Sequence, residues 1–175
     1  MDIKIVSKRI KNFKKYTDDG YIVIDVTSKA DEPYNKFSPF YPHGNIPVPY
    51  KEYVSQSVEG IWQGLKVFEN HGIDINKFSI KNMKNLKRTS RKYGKVIGHM
   101  YEKEEILNYI TARKNIYIPT YEYVLEKYLK EEIKELLKYD KIVLLDYDTN
   151  EDVNNINKPL SHASIIKRYI LSKKL

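Results

Sequence analysis

Five of the chain's seven prolines fall between positions 33 and 49, at Pro33, Pro39, Pro42, Pro47 and Pro49. Proline lacks the backbone N–H and keeps the preceding residue out of the α region. The segment FSPFYPHGNIPVPY, residues 37–50, is therefore barred from a helix. It is also too apolar and aromatic for a solvated linker, so Phe37, Phe40, Tyr41 and Ile46 are expected to pack onto the body of the protein. An ordered loop of this kind either covers a core or holds binding groups on a rigid scaffold.

Around this segment the pattern alternates between strands and helices. Ile3–Val6 and Tyr21–Val26 predict strands, the second following an Asp18-Asp19-Gly20 turn. SVEGIWQGLKVFEN, Ser57–Asn70, predicts a helix with Ser57 as N-cap and His71-Gly72 as its stop. Val58, Ile61, Trp62, Leu65 and Phe68 share one face, and Glu59, Gln63 and Lys66 form a narrow polar stripe beside it. Gly60 and Gly64 make a third stripe with no side chains. Each interior glycine costs a helix roughly 0.5–1 kcal/mol relative to alanine, so the pair predicts that something approaches this backbone closely.

Further along, Lys77–Ile80 reads as a short strand, Val96–Tyr101 as extended or loop, and Lys103–Ile116 as a helix. Pro119 opens a longer helix to about Tyr139. Lys141–Asp146 is a buried strand, Thr149–Pro159 a loop, and Leu160–Leu171 a closing helix capped near Ser161. The expected fold class is α+β, mostly helical with a small β-sheet. The chain's 175 residues amount to one domain, expected to span residues 1–175.

Composition removes several classes of function. There is no cysteine, and the four histidines (43, 71, 99 and 162) lack the short helical spacing of a metal site. Neither a metal nor another cofactor is expected. No apolar run reaches about 18 residues, so no membrane partner is expected. The N-terminus has no apolar core of a secretory signal, which places the chain in the cytoplasm as an expectation. The net charge of +8 points to an anionic partner: a nucleotide, a nucleic acid or a phosphorylated metabolite. The charge is densest in KNMKNLKRTSRKYGK, Lys81–Lys95, with seven cations and no acid. Within it Arg88 and Arg91, three apart, are placed to grip one phosphate, unless the stretch is simply a solvated basic face.

Several residues are candidates for chemistry. Glu59 either complements the helix dipole in its first turn or, with Gln63 and Lys66, lines a polar recess in an otherwise apolar helix. Trp62, the single tryptophan, is a core anchor or a stacking platform for a planar base. Lys66 would pair with Glu69 or Asn70, or meet a ligand phosphate. Asp146 and Asp148 follow a buried strand, where ligands of α/β proteins often sit, and His162 of PLSHA is placed to cap or line the same end. The chain has no GxGxxG, no P-loop and no nucleophile elbow.

Two of these segments together resemble the YbiA-like, or NADAR, superfamily. Phe37-Ser38-Pro39-Phe40 stands for its F-S-N-F-type segment. Ser57, Glu59, Trp62, Gln63 and Lys66 match its S-x-E-H-x-F-Q-A-x-K helix in order and spacing. SPFYPHG, SVEGIWQGLK, LKRT, LLDY and PLSHA resemble more closely an uncharacterised domain-of-unknown-function group. Gly60 stands where the superfamily has His, and its C-terminal W-G-x-G and N-x-L-G motifs are not recognisable.

The resemblance implies a YbiA-like fold and hydrolysis of an N-glycosidic bond in a phosphorylated N-riboside or ADP-ribose-type ligand. Breaking such a bond builds positive charge on the ribose ring. In that picture Glu59 stabilises the charge or activates water, and Asp146 supplies a second carboxylate. Gln63 orients Glu59 or a ribose hydroxyl. Lys66, Arg88 and Arg91 receive phosphate, while Trp62, Phe40 or Tyr41 stack on the base. The other reading is a non-catalytic protein that binds a nucleotide, ADP-ribose or nucleic acid through the same pocket and the Lys81–Lys95 stretch.

Overall fold

The computed structural model describes residues 1–173. In chain order the elements are β1 (Asp2–Ser7), α1 (Lys14–Asp18), β2 (Ile22–Asp25), β3 (Ile46–Pro47), β4 (Val54–Ser55), α2 (Val58–Leu65), β5 (Lys66–Phe68), α3 (Ser90–Tyr93), β6 (Val96–Tyr101), β7 (Glu105–Leu107), α4 (Tyr109–Ala112), α5 (Ile118–Lys127), α6 (Lys130–Leu136), β8 (Lys141–Asp146) and α7 (His162–Lys173). Short 3-10 turns lie at Tyr34–Phe37, Ile75–Ser79 and Glu102–Glu104, and a single π turn at Arg113–Tyr117. The fold is mixed α+β, with its strands in three small sheets rather than one. Among the described residues no helix is long and apolar enough to cross a membrane. The chain divides into two compact units: Met1–Ser38 with the residues from Leu125 onward, and Pro39–Val124.

The first unit is built on a parallel sheet in the order β1-β8-β2, with Ile3 opposite Ile142 and Ile24 opposite Leu144. The central strand carries an unbroken apolar run, Ile142–Leu145, all of it buried. That is the composition a parallel strand covered on both faces requires. Val6, Tyr21, Val143 and Leu145 form one cluster, against which Phe13, Tyr16 and Val23 pack. Helix α7 packs on β8 and buries Ile165, Ile166 and Ile170.

The second unit contains the proline-rich segment from Pro39 onward, the β3–β4 hairpin and a β5-β6-β7 antiparallel sheet. Its centre is α2, all eight residues of which are buried. Ser57 caps it, its hydroxyl accepting from the Gly60 N–H at 3.0 Å. The proline-rich segment packs onto its first turn, where the Glu59 N–H donates to the Pro39 carbonyl at 2.8 Å.

Several boundaries differ from the sequence reading. Helix α2 stops at Leu65, not Asn70, because Lys66 turns extended (φ −63°, ψ 130°) to pair with His99 across β5–β6. His71-Gly72 lies in the turn beyond that strand. Lys77–Ile80 is not a strand, since Ile75–Ser79 coils into a 3-10 turn packed against α2. The helix expected over Lys103–Ile116 starts only at Tyr109, after Glu105–Leu107 has paired with β6. Pro119 does not open a new helix. Helical backbone runs from Tyr109 through the π turn into α5, and Pro119 is the second residue after that turn. The π turn already displaces the hydrogen-bond register there, so the missing N–H breaks no regular ladder. The long helix to Tyr139 is divided at Leu129, wholly buried and outside the helical region at φ −117°.

The glycine stripe has a structural occupant. A Cβ on Gly64 would lie 2.3 Å from the Phe78 ring, and one on Gly60 would lie 2.8 Å from the Lys77 carbonyl oxygen and 2.7 Å from Ser55 Oγ. The close approach foreseen at this backbone is made by the protein's own 74–78 segment. The two glycines cost about 1–2 kcal/mol in helix propensity. Burying Ile61 and Leu65 completely returns roughly 1.5–3 kcal/mol each, so the packing wins. Gly64→Ala would stabilise an exposed helix. Here it is expected to destabilise by about 1–3 kcal/mol in urea unfolding, through overpacking against Phe78.

Candidate functional site

The polar stripe of α2 lies in the interior of the second unit. Gln63 Nε2 donates to Glu59 Oε1 at 2.7 Å, and Lys66 Nζ donates to Gln63 Oε1 at 3.0 Å. The same Gln63 oxygen accepts the Arg88 backbone N–H at 3.0 Å. A carboxylate and an amine are thus joined through one amide, with Glu59 only 7% exposed. Burial pulls the Lys66 ammonium below its usual range, and the neighbouring charges of Arg88 and Lys87 add to this; Glu59 opposes it. The pairing of Lys66 with Glu69 or Asn70 is not formed. The strand that begins at Lys66 turns it back toward Gln63 instead.

Arg88 is buried and faces inward. Its Nη1 donates to the carbonyls of Gln63 at 3.0 Å and Lys66 at 2.7 Å, and its Nη2 to the Gly72 carbonyl at 2.6 Å, with His71 Nδ1 at 3.1 Å. Its guanidinium lies over the rings of Phe68 and Tyr93. Arg88 therefore does not form a phosphate fork with Arg91, because its donors bind the backbone around the end of α2. Arg91 is exposed on α3, one of six cations of the Lys81–Lys95 stretch that face solvent.

Trp62 stacks on His99 at 3.8 Å between ring centroids and 27° between planes. Tyr109 at 5.9 Å and Tyr117 at 5.4 Å complete an aromatic cluster, and Arg113 lies over the Tyr109 ring. Phe40 and Tyr41 have other neighbours: Phe40 lies beneath Lys87, and Tyr41 packs on His43. His99, Tyr109, Arg113 and Tyr117 were not legible as site residues. No motif marks them, and only the strand register opposite Lys66 and the π turn gather them there.

Phe37, Ser38, Asp146, Asp148 and His162 belong to the first unit. Phe37 and Ser38 are buried, with Phe37 stacked on Tyr34 at 6.4 Å. Asp146 ends β8, and both its oxygens are engaged. Oδ1 accepts from the Tyr147 N–H at 2.7 Å. Oδ2 accepts from Ser161 Oγ at 2.7 Å and the Ala163 N–H at 3.4 Å, and pairs with His162 Nδ1 at 3.0 Å. Nε2 of His162 reaches the Val26 carbonyl at 2.8 Å. Ser161 directly precedes α7, and Asp146 clamps this start to the end of β8 through the Ser161 hydroxyl and the Ala163 N–H. These bonds leave Asp146 as a structural clamp, not a water-orienting carboxylate. A hollow lined by Pro33, Tyr34, Glu131, Glu132 and Glu135 shares no residue with either cluster.

Residues 6–166 match the profile of DUF6939, a family of unknown function. The chain belongs to that family. No curated protein matches it at a significant level. The match covers both clusters of this DUF6939 protein, the Glu59–Gln63–Lys66 line and the Asp146–His162 clamp.

The clamp sets a pH signature. Burial by itself would raise the Asp146 pKa, but the charge and hydrogen bond of His162, with those of Ser161 and Ala163, hold it at about 2. Burial would likewise lower that of His162, yet Asp146, the Val26 carbonyl and Asp148 raise it above 6.5. The stabilisation from His162 is complete below about pH 6.5 and fades as pH rises through its raised value; that from Asp146 fades as pH falls from about 3.8 toward 2. The stability gap between wild type and His162→Gln should be widest near pH 4–6.5 and narrow above, read by urea unfolding across pH. Asp146→Ala, which leaves the imidazole buried without its partner, is expected to cost about 3–5 kcal/mol.

Proposed function

We propose that this protein hydrolyses the C1′–N bond of a phosphorylated N-riboside or ADP-ribose-type substrate, with Glu59 as the working carboxylate. The observation that carries this reading is the buried line of Glu59, Gln63 and Lys66 beside the stacked Trp62. The resemblance of residues 37–40 and 57–66 to the YbiA-like superfamily supplies the reaction class.

In the reaction, a water oxygen bonds to C1′ as the C1′–N bond breaks, and the departing base nitrogen takes up a proton. Glu59 faces the cationic ribose and accepts the proton of the attacking water. Gln63 fixes the carboxylate through its 2.7 Å bond. Lys66 uses one N–H on Gln63 and has two more for a phosphate oxygen. Arg88 and Asp146 take no part, since their polar groups hold the fold. No side chain at position 60 assists Glu59, because packing against Ser55 and Lys77 leaves no room for one.

Incubating wild type and Glu59→Gln with N-ribosides and ADP-ribosylated bases tests this. Release of base is expected to fall at least about a hundredfold in the variant, the scale of a general base; equal release would exclude Glu59. A second reading draws on the six exposed cations of Lys81–Lys95: binding of nucleic acid without turnover. That reading requires affinity that falls steeply with salt and weakens on neutralising Lys81, Lys84 and Lys87 together.

A further inference from the structure

Among the described residues, four buried side-chain polar atoms have no hydrogen-bond partner: Asn35 Oδ1, Arg88 Nε and both ring nitrogens of His99. Three of the four belong to residues gathered around Lys66: His99 is its partner across β5–β6, and the Arg88 guanidinium binds its carbonyl at 2.7 Å. His99 is wholly buried, and burial, then Lys66 and Arg88, push its pKa down to about 3, so the ring is neutral. A buried polar group left unpaired has given up its hydration for nothing. A phenylalanine would fill the same place against Trp62 without that cost. An imidazole kept there at a loss points to a partner that arrives from outside.

We propose that His99 is a binding residue that reads the polar edge of a neutral planar heterocycle, the base portion of the substrate, held in the aromatic cluster of Trp62, Tyr109 and Tyr117. The inference rests on the N-riboside reading for the identity of the guest. A neutral imidazole offers one donor and one acceptor on nitrogens that point apart, so one of them meets a complementary group on the edge of a nucleobase or carboxamide. The aromatic rings supply stacking surface, and a neutral His99 favours an uncharged ring over a second phosphate. Tyr109 is a third exposed and packs on Trp62 at 5.9 Å while His99 is sealed, so a guest reaches the imidazole only when that packing opens.

Trp62 is the single tryptophan, so its fluorescence reports on this cluster directly. Wild type, His99→Phe and His99→Gln are titrated with adenine, hypoxanthine, cytosine, uracil and nicotinamide, and their melting temperatures are measured. Saturable quenching by at least one heterocycle is expected in wild type. His99→Phe should weaken it at least about tenfold while melting no lower than wild type, since two unpaired nitrogens are removed. His99→Gln, which restores a donor and an acceptor, should keep most of the affinity. His99→Leu replaces the Phe variant under the same criteria if that variant does not fold.

Unchanged affinity in the apolar variant, as expected if a water alone fills the gap, overturns the proposal, as does failure of every heterocycle to quench wild type. The two readings fail separately. Base release that depends on Glu59 but has the same KM in His99→Phe sinks this inference alone. His99-dependent binding with equal release by wild type and Glu59→Gln sinks the catalytic reading alone.

Discussion

The amide of Gln63 is the joint on which the second unit turns. Helix α2 is covered on every side, so each polar atom on it must be satisfied within the protein. One oxygen of Gln63 takes both the Lys66 ammonium and the Arg88 N–H, while its nitrogen holds Glu59. The Arg88 guanidinium then binds the carbonyls of Gln63, Lys66 and Gly72. The carbonyls of Gln63 and Lys66 lie where the helix gives way to β5, and that of Gly72 in the turn beyond the strand. The same interactions that close the helix therefore hold a carboxylate and an amine on either side of one buried amide. Structure and candidate chemistry share these atoms, which is why Arg88 belongs to the framework while Lys66 keeps donors for a guest.

The first unit solves a comparable problem with charge. Asp146 and His162 form a buried pair at the meeting of β8 and α7, and every oxygen and nitrogen of the pair has a partner. A buried pair of this kind is unfavourable unless its remaining hydrogen-bonding capacity is met, and Tyr147, Ser161, Ala163 and Val26 meet it. The contrast with His99 is instructive. Both histidines are buried, but one is bonded at both nitrogens and the other at neither. The first is explained by the fold, and the second is not.

Much of the backbone was legible. The strands at Ile3–Val6, Tyr21–Val26 and Lys141–Asp146, the Ser57 cap and the closing helix follow from local pattern, because apolar periodicity and capping act over a few residues. The polar stripe at 59, 63 and 66 and the glycine stripe at 60 and 64 were equally visible, since both follow from helical spacing. The errors lie where distant pairing overrides propensity. Lys66–Phe68 leaves a helical pattern to join β6, and Glu105–Leu107 does the same on its other edge. The neighbours of Phe40 and Tyr41, Lys87 and His43, are likewise set by the fold and not by local pattern.

The sequence by itself determined that residues 37–50 cannot be helical, that one helix carries a carboxylate, an amide and an amine on a single stripe, and that its glycine side must be closely packed. These conclusions need only the stereochemistry of proline, the 3.6-residue period and the size of a missing Cβ. The tertiary structure decided that the close neighbour is Phe78, that Arg88 is spent on backbone carbonyls, that Asp146 is a saturated clamp, and that His99 lies unbonded against Trp62. Each of these depends on contacts between residues 14 to 37 positions apart in the chain. No local pattern encodes such meetings; they follow from which buried surfaces fit together and which polar groups must find partners once water is gone.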